Sequence, residues 1–137
     1  MTLYERLKAH LATHEYTKGN HKGEAPADAH NRRKNYYRVK PCSNWGQQTM
    51  CVHLYNTEII IAYADGSFMI RTNGWDTSTT HRYSNEALSQ FRSDAFRMAI
   101  GSISKFSKNQ MAIHVWDYLG NTKTYVFYDG MKFNADG

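Results

Sequence analysis

The chain has 137 residues, 41% hydrophobic and 21% charged, which fits one soluble globular domain long enough to bury a core without metals or disulfides. Its longest aliphatic run, residues 59–62, falls far short of the roughly 20 residues a membrane span needs. The N-terminus also lacks the apolar core of a signal peptide, so a cytoplasmic protein, neither secreted nor membrane-spanning, is expected. The formal charge is +5, and residues 16–40 hold all of the excess. That segment carries Lys18, Lys22, Arg32, Arg33, Lys34, Arg38 and Lys40 against Glu24 and Asp28, while bases and acids balance elsewhere. Ten tyrosines, against six Phe and three Trp, favour β structure and half-buried rings with wet polar edges. Cys42 and Cys51, in a chain with no secretion signal, are expected to be free thiols.

Residues 2–14 predict a helix. Thr2 and Glu5 have capping-box spacing, and Leu3, Leu7 and Leu11 form a narrow apolar stripe that should dock on the rest of the chain. Residues 15–31, with Gly19, Gly23, Pro26 and two histidines, read as a flexible linker, which leaves residues 32–137 as a single domain. Within residues 32–40, RRKNYYRVK, strand formers Tyr36, Tyr37 and Val39 lie among five cations, and Pro41 closes the run. A loop over 42–48 turns at Trp45 and Gly46. Met50, Val52 and Leu54 then alternate with Cys51, His53 and Tyr55 as a half-buried strand does. Asn56-Thr57 turns the chain into residues 58–64, apolar enough to be buried on both faces. Asp65-Gly66 is a hairpin turn leading to residues 67–72, and the three strands make a meander.

After Asn73-Gly74-Trp75 the period changes. Ala87, Leu88, Phe91, Ala95, Met98 and Ala99 share one helical face, which predicts one long helix over about 79–99, with a break near Ser93-Asp94 and Gly101 as its stop. Residues 103–106, 111–117 and 122–128 read as strands, with Leu119-Gly120-Asn121 turning between the last two. Asp129-Gly130 turns into a final strand over 131–133. The expected fold is α+β: an antiparallel sheet of about five to six strands packed on one long helix, with the N-terminal helix as an accessory. Internal repeats, a Walker loop, a dinucleotide fingerprint and an HExxH motif are all missing, which excludes the most readily recognised enzymes.

Residues 52–85, VHLYNTEIIIAYADGSFMIRTNGWDTSTTHRYSN, followed by IHVWDY and a strand ending in YDGMKF, resemble a family of small proteins of tailed bacteriophages. Its pattern is a strand pair, GW-x-T-x-T-T with an Arg and an Asn shortly after, a Trp strand, and a Phe/Tyr-x-Asp-Gly-Met ending. Gly74, Trp75, Thr77, Thr79, Thr80, Arg82, Asn85, Trp116, Asp129, Gly130 and Met131 fall on that pattern. The chain departs from it in a longer helix-to-strand connection and in its own N-terminal segment. The resemblance implies a phage protein in the cytoplasm of a bacterial host and implies no particular activity.

Two segments carry candidate chemistry. Residues 71–85 join a strand end, a Gly-Trp pair, a hydroxyl run and a helix start. Free N–H groups and the positive dipole end attract anions there, so Thr77, Ser78, Thr79, Thr80, His81 and Arg82 are candidate phosphate ligands. The same residues also serve as an ordinary helix cap with turn-satisfying hydroxyls. Arg32, Arg33, Lys34, Tyr36, Tyr37, Arg38 and Lys40 combine cations for a backbone with rings for stacking, as single-strand nucleic-acid binders do. A solvated edge strand kept from aggregating by its charges is the alternative. Cys51, His53 and His114 lack the spacing of a metal site, so no metal and no cofactor is expected. The leading expectation is a non-enzymatic accessory protein that binds nucleic acid or another phosphate-bearing ligand. Two readings stay open beside it: a modulator of a host defence or replication protein acting through a tyrosine-rich surface, and a small nuclease or phosphoesterase using His81 and Asp76, whose spacing matches no hydrolytic signature.

Overall fold

The computed structural model of the protein describes residues 1–28, 30, 35–42, 48–74, 77–102, 111–135 and 137. Helix α1, Leu3–His14, starts at a capping box in which Glu5 N–H donates to Thr2 Oγ1 (3.2 Å) and Thr2 N–H donates to Glu5 Oε1 (3.1 Å). Leu3 and Leu7 enter the core, as the stripe predicted. The amino terminus and Arg6 both reach Asp94, which fastens the helix to the far half of the chain.

Strands β1 (Ala25–Pro26), β2 (Tyr37–Cys42), β3 (Thr49–Leu54), β4 (Thr57–Tyr63), β5 (Phe68–Ile70) and β9 (Met131–Phe133) form one antiparallel sheet in the order β1-β2-β3-β4-β5-β9. The expected meander is its centre. Part of the segment read as a linker is built into this sheet: Ala25, Ala27 and Asp28 are buried, and the Pro26 carbonyl lies 2.6 Å from His10 Nε2 on α1. Strand β2 runs through Pro41 instead of ending before it. Strand β1 pairs with Arg38 and Val39, so among the described residues Pro41 lies where β2 is itself an edge and a missing N–H is tolerated. At the Asp65-Gly66 turn, Gly66 has φ +96°, and an added Cβ there would lie 2.8 Å from Ala135 Cβ, so only glycine fits.

The single long helix is not what forms. Helix α2 covers Ser78–Gln90 only, and residues expected to complete it make strand β6, Phe96–Ser102. Phe96, Met98 and Ile100 are buried while Arg97 is exposed and Ala99 half-buried, a period of two that the apparent helical face of Ala95, Met98 and Ala99 obscured. Gly101 is therefore no helix stop. It lies in β6 with room for a Cβ only 3.5 Å from the His114 ring. Strands β6, β7 (Met111–Asp117) and β8 (Thr122–Val126) form a second antiparallel sheet. The strand expected over 103–106 lies outside the described residues.

The main core joins both sheets and both helices. At its centre the Phe68 ring stacks on Phe96 of the second sheet (5.7 Å) and on Phe133 of β9 (5.3 Å). A smaller cluster of Cys42, Cys51, Ile61 and Tyr63 covers the other face of the larger sheet, as the continuously apolar β4 required. Both cysteines are free and buried. Burial pushes the Cys51 thiol far above its ordinary range, so it is not a reactive thiolate. Among the described residues, no helix is long and apolar enough to cross a membrane.

Candidate functional site

The cations of the tyrosine-rich segment are not uniformly available. Arg38 Nε donates to Glu24 (2.7 Å), and Lys40 lies 3.6 Å from Glu58, which also faces Arg71 at 3.6 Å. The run contains no acid of its own, yet the loop before β1 and the facing part of β4 supply them. Tyr37 is wholly buried, with its hydroxyl 3.4 Å from the Tyr83 carbonyl, and presents no face to a ligand. Burial raises its phenol far above the ordinary tyrosine range. Arg32, Arg33 and Lys34 lie outside the described residues.

Tyr36 behaves differently. Its ring stacks on Tyr55 at 4.9 Å and 9°, and its hydroxyl is 3.3 Å from that of Tyr83 on α2. Tyr55 sits in the β3–β4 turn with φ +54° and 57% exposure. The left-handed backbone, uncommon for a bulky residue, turns its ring out over Tyr36. Its N–H is held by the Tyr36 carbonyl at 2.6 Å. Sequence reading missed Tyr55 because alternation placed it within a strand rather than in a turn.

The helix start lies against the same turn. Thr77 is the N-cap of α2: its Oγ1 accepts the Thr80 N–H (3.2 Å) and lies 3.1 Å from Thr80 Oγ1. Ser78, Thr79 and Arg82 are exposed, whereas Thr80 and His81 are buried, His81 edge-on to Phe127. The Arg82 guanidinium lies 5.0 Å from the Tyr83 ring centre. The first turn of α2 contains no acidic residue, so no carboxylate of that turn offsets the positive end of its dipole. Trp75 and Asp76 fall outside the described residues.

Between the β3–β4 turn and this helix start is a cavity of about 380 Å³. Leu54, Tyr55, Asn56, Thr57 and Ile59 line it from the β3–β4 side, and Thr72, Thr77, Thr79 and Thr80 from the other, with a lining that is mostly apolar. Tyr36 of the basic segment thus supports the tyrosine that lines the helix-start cavity.

Asp129 fixes the loop that enters this region. Asn73 and Gly74 are both left-handed (φ +50° and +82°), a conformation that points successive N–H groups to one side. The Asp129 carboxylate accepts N–H groups from Thr72 (2.9 Å) and Gly74 (3.2 Å). Burial pushes its pKa up, but hydrogen bonds from the Thr72, Asn73 and Gly74 backbone outweigh burial and hold it below the ordinary aspartate value. A carboxylate depressed in the folded state contributes stability above its unfolded pKa and loses it as pH falls through the folded value. Stability should therefore decline in acid, and Asp129→Asn should flatten part of that decline in urea titrations across the carboxylate range. An unchanged pH profile in the variant would show that the loop does not depend on this charge.

The three residues weighed for a metal site are not gathered. Cys51 and His53 lie on the larger sheet and His114 on the smaller, where His114 Nδ1 is 3.1 Å from Thr124 Oγ1. Among the described residues no three His, Cys, Asp or Glu side chains are placed to hold a metal ion. His53 lies 3.8 Å from Glu58, and burial, then Lys40 and Arg38, lowers its pKa.

A second groove, of about 450 Å³, exists because residues 96–102 form a strand and not the expected helix. Arg97 and Trp116 are register partners across β6 and β7, with the guanidinium 4.9 Å from the indole centre. Arg92 and Tyr118 flank them. No protein-family model, curated protein or solved structure matches the chain.

Proposed function

We propose that the protein binds nucleic acid, preferentially single-stranded, with a base stacked on Tyr55 and its sugar-phosphate directed to the start of α2. The observation that carries this reading is the Tyr36–Tyr55 stack set against the threonine-rich cavity at the α2 N-cap. A supported, outward-facing ring suits any base. The hydroxyls and the positive helix end suit sugar and phosphate oxygens, and Arg82 is the exposed cation of that helix turn. Arg32, Arg33 and Lys34, a few residues before Tyr36, would follow the backbone.

The reading is tested by fluorescence anisotropy of labelled single- and double-stranded DNA and RNA at two salt concentrations. Tyr55→Ala is expected to weaken single-strand binding by about 1–3 kcal/mol, roughly 5- to 150-fold. Replacing Arg32, Arg33 and Lys34 with Ala should weaken binding and reduce its salt dependence, by about 0.7 in the logarithmic slope for each phosphate that is no longer neutralised. Absence of binding at low salt, or binding indifferent to Tyr55→Ala, would overturn the proposal.

A further inference from the structure

We infer that strand β8 is a homodimerisation edge, pairing with β8 of a second copy about a two-fold axis through Thr124. The smaller sheet has two edges, and the chain treats them differently. On β6, the Asn85 side chain occupies the outward backbone groups of Ile100, donating to its carbonyl (2.9 Å) and accepting its N–H (2.7 Å). On β8, all five residues are exposed, and β7 is the strand's one sheet partner among the described residues. Exposed edges of this kind are templates for another strand.

The phase of the ladder makes that edge self-complementary. Phe127 N–H donates to the Met111 carbonyl and Asp117 N–H to the Asn121 carbonyl, while Ile113 is opposite Tyr125 and Val115 opposite Lys123. Hydrogen-bonded pairs alternate along an antiparallel ladder. The backbone groups of Lys123 and Tyr125 therefore point to β7, and those of Thr122, Thr124 and Val126 point outward. With Thr124 opposite its own copy, Thr122 meets Val126 of the second chain, and every outward N–H on these residues meets a carbonyl. The same register sets Lys123 against Tyr125 of the second copy, a cation facing a ring with no like charges opposed.

Surface chemistry points the same way. Of the seven exposed large hydrophobic residues among those described, five (Tyr118, Leu119, Tyr125, Val126 and Tyr128) belong to the β7–β8 turn, β8 or the residues just after it. Tyr118 is 82% and Leu119 72% exposed, so an apolar margin borders the free edge. A two-fold pairing of like edges closes on itself and yields a dimer, not a fibre.

Sedimentation velocity of the full chain over a wide concentration range is expected to show a monomer–dimer equilibrium. Amide hydrogen exchange should show protection of Thr122, Thr124 and Val126 rising with concentration. Thr124→Pro removes an outward N–H and leaves the ladder to β7 intact, so it should weaken dimerisation at least about tenfold while the circular dichroism is retained. Tyr125→Lys opposes two lysines across the interface and should do the same, whereas adding Lys123→Glu to it should restore the dimer. That charge exchange decides the matter even if the proline variant fails to fold. A monomer at every concentration, a dimer indifferent to Tyr125→Lys, or concentration-dependent protection confined to other amides overturns the inference.

Discussion

Phe68→Ala is expected to lower the free energy of unfolding by about 3–5 kcal/mol, the cost of emptying a large aromatic site in a packed core. Phe68 is 1% exposed and stacks on both Phe96 and Phe133. Its ring therefore belongs to two interfaces at once, holding β9 beside β5 and the second sheet against the first. Native domains have only about 5–15 kcal/mol in total, so the variant should be close to unfolding at ordinary temperature. Urea denaturation should show the midpoint falling with little change in slope. Phe68→Leu keeps much of the volume and loses the ring stacking, so it should cost less than half as much. A loss of under about 1 kcal/mol in the alanine variant would show that the sheets are held together elsewhere.

Asn85→Ala is expected to cost about 2–4 kcal/mol although little apolar surface is lost. The side chain is half-buried and satisfies both backbone groups of Ile100, itself buried in the core. Removal leaves a part-buried N–H and carbonyl without their partner, each such unsatisfied group costing about 1–3 kcal/mol. The edge of β6 would also lose its cover, so the variant should aggregate on heating where the parent does not. Asn85→Asp keeps the acceptor for the Ile100 N–H and loses the donor to its carbonyl. It should recover stability in acid, where a protonated carboxyl can donate again. Thermal melts at neutral and acidic pH measure this directly, and an alanine variant as stable as the parent would mean that α2 does not guard this edge.

Asn85 also shows how far a sequence can be read. Its place after the hydroxyl run suggests proximity to a site. Its role depends on Ile100, in a stretch whose mixed spacing suits helix and strand alike. Ala95, Met98 and Ala99 share a helical face, while Phe96, Met98 and Ile100 share a strand face. The choice falls to β6 because β7 offers seven register partners, from Phe96 opposite Asp117 to Ser102 opposite Met111. No local propensity encodes that pairing.

The candidate site divides in the same way. Thr77 and Thr80 were legible as a helix start because a cap is completed within four residues. Arg38 and Lys40 looked like free cations because Glu24 and Glu58, which pair with them, lie outside the run. Tyr37 looked like a stacking ring beside Tyr36, but strand alternation sends one inward and leaves the other against Tyr55.

The sequence by itself determined the capped first helix, the central meander with its Asp-Gly turn and the start of α2, all written in periods and turn residues spanning a few positions. Tertiary structure alone decided that residues 96–102 are a strand, that β1 joins the sheet, which cations are neutralised and which tyrosine faces solvent. Each of those outcomes is an interaction between residues distant in the chain, and its energy exists only once the two parts have packed together.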